Sequence, residues 1–271
     1  MPDHLSTSFR TVWINGMYHD DPRQISVFDK ITLGMGVFTT LLASRDATGF
    51  MNLHFWDAHY ARLCRHAAVL DIGVPYSAED LGSVAQCIAG HTAHATQSDF
   101  CAVRVQITAG DGARGLAYPA TPTVFVTAAS VPDPATLAPV RVMIARDISL
   151  YSQDIMTRIK SNYAVRALAR RRAEQAGFHD VILRNEHGNM TSASVGSIVV
   201  RMGQDFFTPP LADGVLDGIR RGEGIKSGKW QEKSLTEADF LCCDAAWVVN
   251  SLGIKPIICI DTVPKRSEPA E

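Results

Sequence analysis

Three prolines fall within residues 130–139 (SVPDPATLAP), and they limit what the chain can build across that stretch. Proline has no backbone donor and is excluded from helix interiors and central strands, so this segment interrupts any continuous element. We read it as an interdomain linker between a first domain, residues 1–129, and a second, residues 140–271. A chain of 271 residues with 46% hydrophobic content can fill one large core or two modest ones, and the linker favours two.

Strand-like and helix-like stretches alternate on both sides. Thr11 to Ile14, the Asn15-Gly16 pair and Met17 to His19 form a hairpin signal. The segment HFWDAHYARLCRHAAVL spaces Phe55, His59, Leu63 and Ala67 as a helix does, with Arg62 and Arg65 on neighbouring faces. Ala102 to Ala109 alternates apolar and polar residues, and Thr123 to Ala128 is β-branched and aromatic, so both predict strands. Beyond the linker, Val140 to Ala145 predicts a strand, and a polar loop then reaches Arg158, Ile159 and Lys160. Asn162 to Gln175 predicts a helix closed by Gly177. DVILR and SIVVR predict two more strands, separated by the turn NEHGN and the small-residue stretch MTSAS, while the tail from Pro264 reads as disordered.

Charge and composition narrow the partners. Twenty-six basic and 28 acidic residues give a net charge of -2, so no global field draws nucleic acid or an anionic membrane. The basic run Arg170 to Arg172 reads as a solvated helix face. The six cysteines form no CxxC pair and the nine histidines no zinc-like spacing, so we expect reduced thiols and no metal. Met1 to Arg10 has no apolar signal core, and no apolar run approaches the ~20 residues of a membrane helix. The expectation is a soluble, cytoplasmic protein acting on a small molecule.

Three segments sharpen that expectation. KSNYAVRALARRRAEQAGFHDVILRNEHGNMTSAS, FFTPPLADGVLDGIRR and VVNSLGIKP occur in the order found in the pyridoxal-phosphate (PLP) fold type IV superfamily, which the chain resembles. That superfamily includes branched-chain and D-amino-acid aminotransferases and aminodeoxychorismate lyases. The resemblance implies an α/β chain with a small N-terminal α/β domain, a larger barrel-like C-terminal domain, PLP between them and a homodimer partner closing the site. It implies that Lys160 carries PLP as a Schiff base, and that the released amine then moves the substrate's α-proton. Gly218, Ile219 and Arg220 match the turn that meets the PLP phosphate at a helix start. Arg62 matches a cation that pairs with that phosphate, Ser251 a hydroxyl donor to it, and Tyr163 a hydroxyl near the cofactor's phenolic oxygen.

The departures are informative. Ser192 stands where the superfamily carries a glutamate that keeps the pyridine nitrogen protonated; a serine can hydrogen-bond a neutral nitrogen but supplies no negative charge. The electron sink is then weaker, which leans toward elimination over transamination. Leu33 to Thr40 (LGMGVFTT) ends as the lyases do, making Thr39 a candidate substrate contact. Ala109 replaces a substrate-binding arginine, which leaves the loop 110–116 (GDGARGL) to clamp a carboxylate through Arg114. The helix after Arg220 carries three glycines (GEGIKSGKWQEK) and reads as short or mobile. The resulting expectation is a lyase that forms 4-aminobenzoate and pyruvate from aminodeoxychorismate. Alternatives are an amino-acid aminotransferase and, given Met35, Ala109 and Ser192, a non-catalytic PLP-binding paralogue.

Overall fold

The computed structural model describes residues 11–20, 25–119, 121–261 and 263–265. Its contacts divide the chain into two units, Met1–Asp133 and Pro134–Glu271. Met1 to Arg10 lie outside the described residues.

The first unit is one antiparallel sheet with two helices. Its strands are β1 (Val12–Ile14), β2 (Met17–His19), β3 (Gly36–Arg45), β4 (Met51–Leu53), β5 (Phe100–Thr108) and β6 (Thr123–Ser130), in the order β2-β1-β6-β5-β3-β4. The Asn15-Gly16 hairpin forms as expected, with Ile14 opposite Met17. Helix α1 (Trp56–Val69) packs on β3, and α2 (Ala78–Thr96) packs on β5 and β6. Phe55 is not part of the buried helix face: it is the left-handed N-cap residue of α1 and half exposed. Sequence periodicity did not single out α2, because its buried stripe of Leu81, Ala85, Ile88 and Ala89 is built largely from alanine. Ser77 and Asp80 close its start with a reciprocal capping box.

The second unit is a closed barrel. Its strands are β7 (Val140–Leu150), β8 (Asp180–Asn185), β9 (Met190–Ala193), β10 (Ser197–Met202), β11 (Asp205–Thr208), β12 (Gln231–Glu232), β13 (Ala245–Asn250), β14 (Gly253–Ile260) and β15 (Val263–Pro264). The sheet runs β12-β11-β10-β13-β14-β7-β8-β9, and a further pairing of β9 with β10 joins the path back on itself. Six strands therefore form a ring, β10-β13-β14-β7-β8-β9, and the closing pair is Ser192 opposite Ser197. Val142, Ile144, Ile182, Ala193, Ile198, Val200, Val248 and Ile257 belong to its buried core. MTSAS is thus a barrel strand and not only a spacer; its four strand residues are all buried, so it shows no two-residue alternation.

β7 and β8 run parallel, and the connection between them carries α3 (Ile155–Arg158) and α4 (Ala164–Gln175). Parallel neighbours require such a crossover. α4 buries Ala169 and Ala173 against Val181, Leu183 and Leu150. Its outer face carries the Arg170–Glu174 ion pair at 2.9 Å and an Arg172–Asp147 pair, in keeping with a solvated basic run. Helices α5 (Ile219–Lys226) and α6 (Glu237–Cys242) complete the unit.

Two expectations need correction. The tail does not come loose at Pro264: β15 pairs with β14, and Lys265 Nζ donates to the carbonyls of Leu241 and Cys243 at 2.6 and 2.8 Å. Residues 266–271 lie outside the description. The glycines after Arg220 do give a short helix of eight residues, but Gly224 has a packing reason: a Cβ there would fall 2.2 Å from Trp230 Cε3. Gly224→Ala should therefore destabilise the protein by about 1–3 kcal/mol through overpacking against Trp230, read as a lower urea midpoint.

Candidate active site

The loop that delivers Lys160 is fixed before the lysine is reached. Ser152 is buried, donating from its backbone N–H to Glu186 Oε2 at 2.8 Å and from its hydroxyl to Oε1 at 2.7 Å. Arg158 Nε and Nη2 donate to the Ser152 carbonyl at 3.1 and 2.8 Å. Asp154 caps α3 by accepting from the Met156 N–H. The Ser152 hydroxyl, followed by its backbone N–H, holds the Glu186 carboxyl below the usual glutamate range. Lys160 thus follows a pinned turn at the carboxyl end of β7, the end of a parallel strand where ligands gather in such crossovers.

Lys160 Nζ donates to the Tyr163 hydroxyl at 2.8 Å and lies 4.8 Å from its ring centroid. Asn162 Oδ1 accepts from the Ala164 N–H at 2.8 Å, an Asx turn that fixes the chain between Lys160 and the start of α4. One turn further on, Arg166 lies 5.6 Å from the same ring. Arg166 Nη1 donates to Ser192 Oγ at 2.7 Å and to the Ala193 carbonyl at 3.2 Å. Burial pulls this guanidinium below its ordinary pKa, and among the described residues no carboxylate pairs with it. Ser192 is itself buried. Lys160, Tyr163, Arg166 and Ser192 therefore form one contiguous polar chain inside the second unit.

A candidate anion cradle lies next to that chain. Ser197, the cross-strand partner of Ser192, sits so close to Gly218 that a Cβ there would fall 2.9 Å from Ser197 Oγ. Gly218 is the N-cap of α5 and, being a glycine, brings the first N–H groups of that helix no side chain of its own. Arg220 Nε is buried without a hydrogen-bond partner among the described residues, and burial lowers the pKa of its guanidinium. A buried cationic edge beside a helix start suits a phosphate dianion. Ser251 occupies the turn after β13, where neighbouring Asn250 donates to the Val195 carbonyl at 3.3 Å, beside the β9–β10 connection. Pyridoxal phosphate needs an amine, a phosphate cradle and a partner for its ring nitrogen, and these residues fit it.

The remaining candidates lie in the first unit. Thr39 is fully buried; its hydroxyl is 2.6 Å from His59 Nδ1 and accepts from Arg62 Nη2 at 3.1 Å. Thr39 is thus tied to Arg62, itself only 3% exposed. Arg114 is exposed and lines an open depression of about 450 Å³ with Phe28, Asp111, Gly112 and Ala113. Buried Lys30 holds that loop from below, donating to the carbonyls of Ala113 at 2.5 Å and Gly115 at 3.0 Å. Asp29 supports Lys30's turn by accepting from the Ile31 N–H and the Thr108 hydroxyl.

Sequence reasoning missed Arg166, Lys30 and His59. Arg166 had a readable signal, since it sits three and seven residues before the buried Ala169 and Ala173 and so lies on the same face of α4. His59 was spaced with Leu63 and Ala67, and all three are buried, but its pairing with Thr39 had no local trace; Lys30 had no signal, because a lysine in a turn looks the same buried or exposed.

The model of the family described as Amino-transferase class IV matches residues 36–260. A putative branched-chain-amino-acid aminotransferase of Methanocaldococcus jannaschii is 26% identical over 261 residues, covering 92% of this chain and 88% of that protein. The crystal structure of a putative 4-amino-4-deoxychorismate lyase from Legionella pneumophila superposes with a TM-score of 0.78 at 22% identity, covering 91% of this chain and 90% of that one. The T.th. branched-chain amino acid aminotransferase complexed with N-(5'-phosphopyridoxyl)-L-glutamate does so with 0.81 at 20% identity, covering 94% and 87%. Both structural likenesses establish the fold, type IV.

The Ser152–Glu186 anchor makes a pH prediction. A lowered carboxyl pKa contributes stability above the ordinary glutamate value, and that stability is lost as pH falls through the lowered one. Ser152→Ala should move Glu186 back toward its ordinary pKa. Thermal stabilities of wild type and variant, separated at neutral pH, should then converge in acid; parallel curves down to low pH would refute the anchor.

Proposed function

We propose, because the chain belongs to the amino-transferase class IV family, that it is an enzyme whose Lys160 holds pyridoxal phosphate covalently. When bound, that cofactor supplies an electron sink for bond electrons released at the α-carbon of an amino substrate. Lys160 attaches it and, once freed by substrate, moves the α-proton. Tyr163 steadies the amine by accepting its hydrogen bond at 2.8 Å. Gly218, Ile219 and Arg220 take the phosphate through helix-start N–H groups and the buried guanidinium edge, and Ser251 adds a hydroxyl. In the first unit, Arg62 is proposed as a further cation for the phosphate with Thr39 orienting it, and Arg114 as the partner of a substrate carboxylate. A homodimer belongs to the same reading.

The reaction we favour is elimination of the aminodeoxychorismate lyase kind, yielding 4-aminobenzoate and pyruvate. One observation carries it: the position proposed to face the ring nitrogen holds a hydroxyl bonded to a cation, Ser192 to Arg166 at 2.7 Å. Ser192 places no negative charge there, so released electrons are better accommodated by a leaving group on the substrate. A second reading, amino-acid aminotransferase, is favoured by the likeness to the Methanocaldococcus jannaschii protein over nearly the whole chain.

Two measurements test these statements. Borohydride reduction of the PLP-loaded protein followed by peptide mass spectrometry should find a pyridoxyl group on Lys160, and an unmodified Lys160 would sink the cofactor reading. Pyruvate release from aminodeoxychorismate without any amino acceptor supports the lyase. Amino-group exchange that depends on an added 2-oxo acid, without such release, replaces it with the transferase.

A further inference from the structure

We infer that Arg166, acting through Ser192, holds the ring nitrogen of a Lys160-bound pyridoxal phosphate in its unprotonated form. The inference deepens the cofactor reading above and rests on it. A serine oxygen has one hydrogen to give and two lone pairs to receive with. Arg166 Nη1 occupies one lone pair at 2.7 Å, so the Ser192 hydrogen must point elsewhere and is left for an acceptor. A donor aimed at the ring nitrogen satisfies a bare nitrogen and opposes a protonated one.

The charge acts in the same direction. Arg166 also donates to the Ala193 carbonyl at 3.2 Å, which fixes the guanidinium against β9, and no carboxylate among the described residues neutralises it. Its position is structurally determined: it is half-buried on the same face of α4 as the buried Ala169 and Ala173, and Ser192 is held by the pairing that closes the barrel. A fixed cation one hydroxyl away from a titrating nitrogen disfavours the second positive charge. Arg166 also lies 5.6 Å from the ring of Tyr163, which accepts from Lys160, so the same cation links Ser192 to the partner of Lys160. Arg166 is a positioning residue in this account, because it works through Ser192.

The test uses PLP labelled with ¹⁵N at the ring, loaded into the full-length protein, with the ring-nitrogen chemical shift followed across pH. Lys160 modification is checked first on the same sample by borohydride trapping. A pyridoxyl-Lys160 protein whose ring nitrogen shows the unprotonated shift at neutral pH is the expected result. Arg166→Gln should raise the pH at which that nitrogen protonates by about 1–3 units, and Arg166→Lys should keep it near the wild-type position. A loss of packing alone would not move the nitrogen's titration in this direction, nor be rescued by lysine. A modified Lys160 with a protonated ring nitrogen in the wild type overturns this inference and leaves the cofactor reading standing; so does an Arg166→Gln titration that coincides with wild type. An unmodified Lys160 overturns the cofactor reading and this inference with it. If Arg166→Gln does not fold, the wild-type measurement alone decides.

Discussion

The second unit depends on one closure, the pairing of β9 with β10 through Ser192 and Ser197. Without it the sheet would have an edge at β9, with a row of unpaired backbone groups. With it, β9 is buried along its length and Ser192 can no longer shift register. Closure also sets where neighbouring groups can be. Ser197 comes against Gly218, and the absence of a Cβ there lets the start of α5 approach the strand. The crossover helix α4 must lie on the outside of β7 and β8, which carries Arg166 to Ser192 and leaves Lys160 at the helix's preceding loop.

Much of this was legible in the sequence, for identifiable reasons. Strands with β-branched runs, such as β6 and β10, and the helix α4 with its terminal Gly177 declare themselves through local preference. The ordered motifs around Lys160, Asp217 and Ser251 carried the family. Other features were silent because they depend on what lies across space. α2 hides in an alanine-rich stripe, β9 in a fully buried stretch without alternation, and Gly224 looks like a flexible helix residue until Trp230 is seen against it. The same holds for Lys30, whose two carbonyl partners lie more than eighty residues away in sequence. Long-range partners of this kind leave no periodic trace near the residue itself.

Arg166 alters the meaning of Ser192. Taken alone, a serine at a position where the family resemblance leads one to expect a glutamate looks like a lost function. A guanidinium placed in the barrel wall is costly to desolvate, and two hydrogen bonds to Ser192 and Ala193 offset only part of that cost. A position that had merely lost a carboxylate would not need a half-buried arginine beside it. The two residues also cannot be exchanged one at a time: a glutamate at 192 would fall within reach of Arg166, form an ion pair with it, and have its charge largely cancelled. Restoring a negative potential at that point requires both changes, Ser192 to a carboxylate and Arg166 to a neutral side chain. The pair is therefore one electrostatic unit, opposite in sign to the glutamate that the family resemblance leads one to expect there, and it borders Tyr163, which accepts from Lys160.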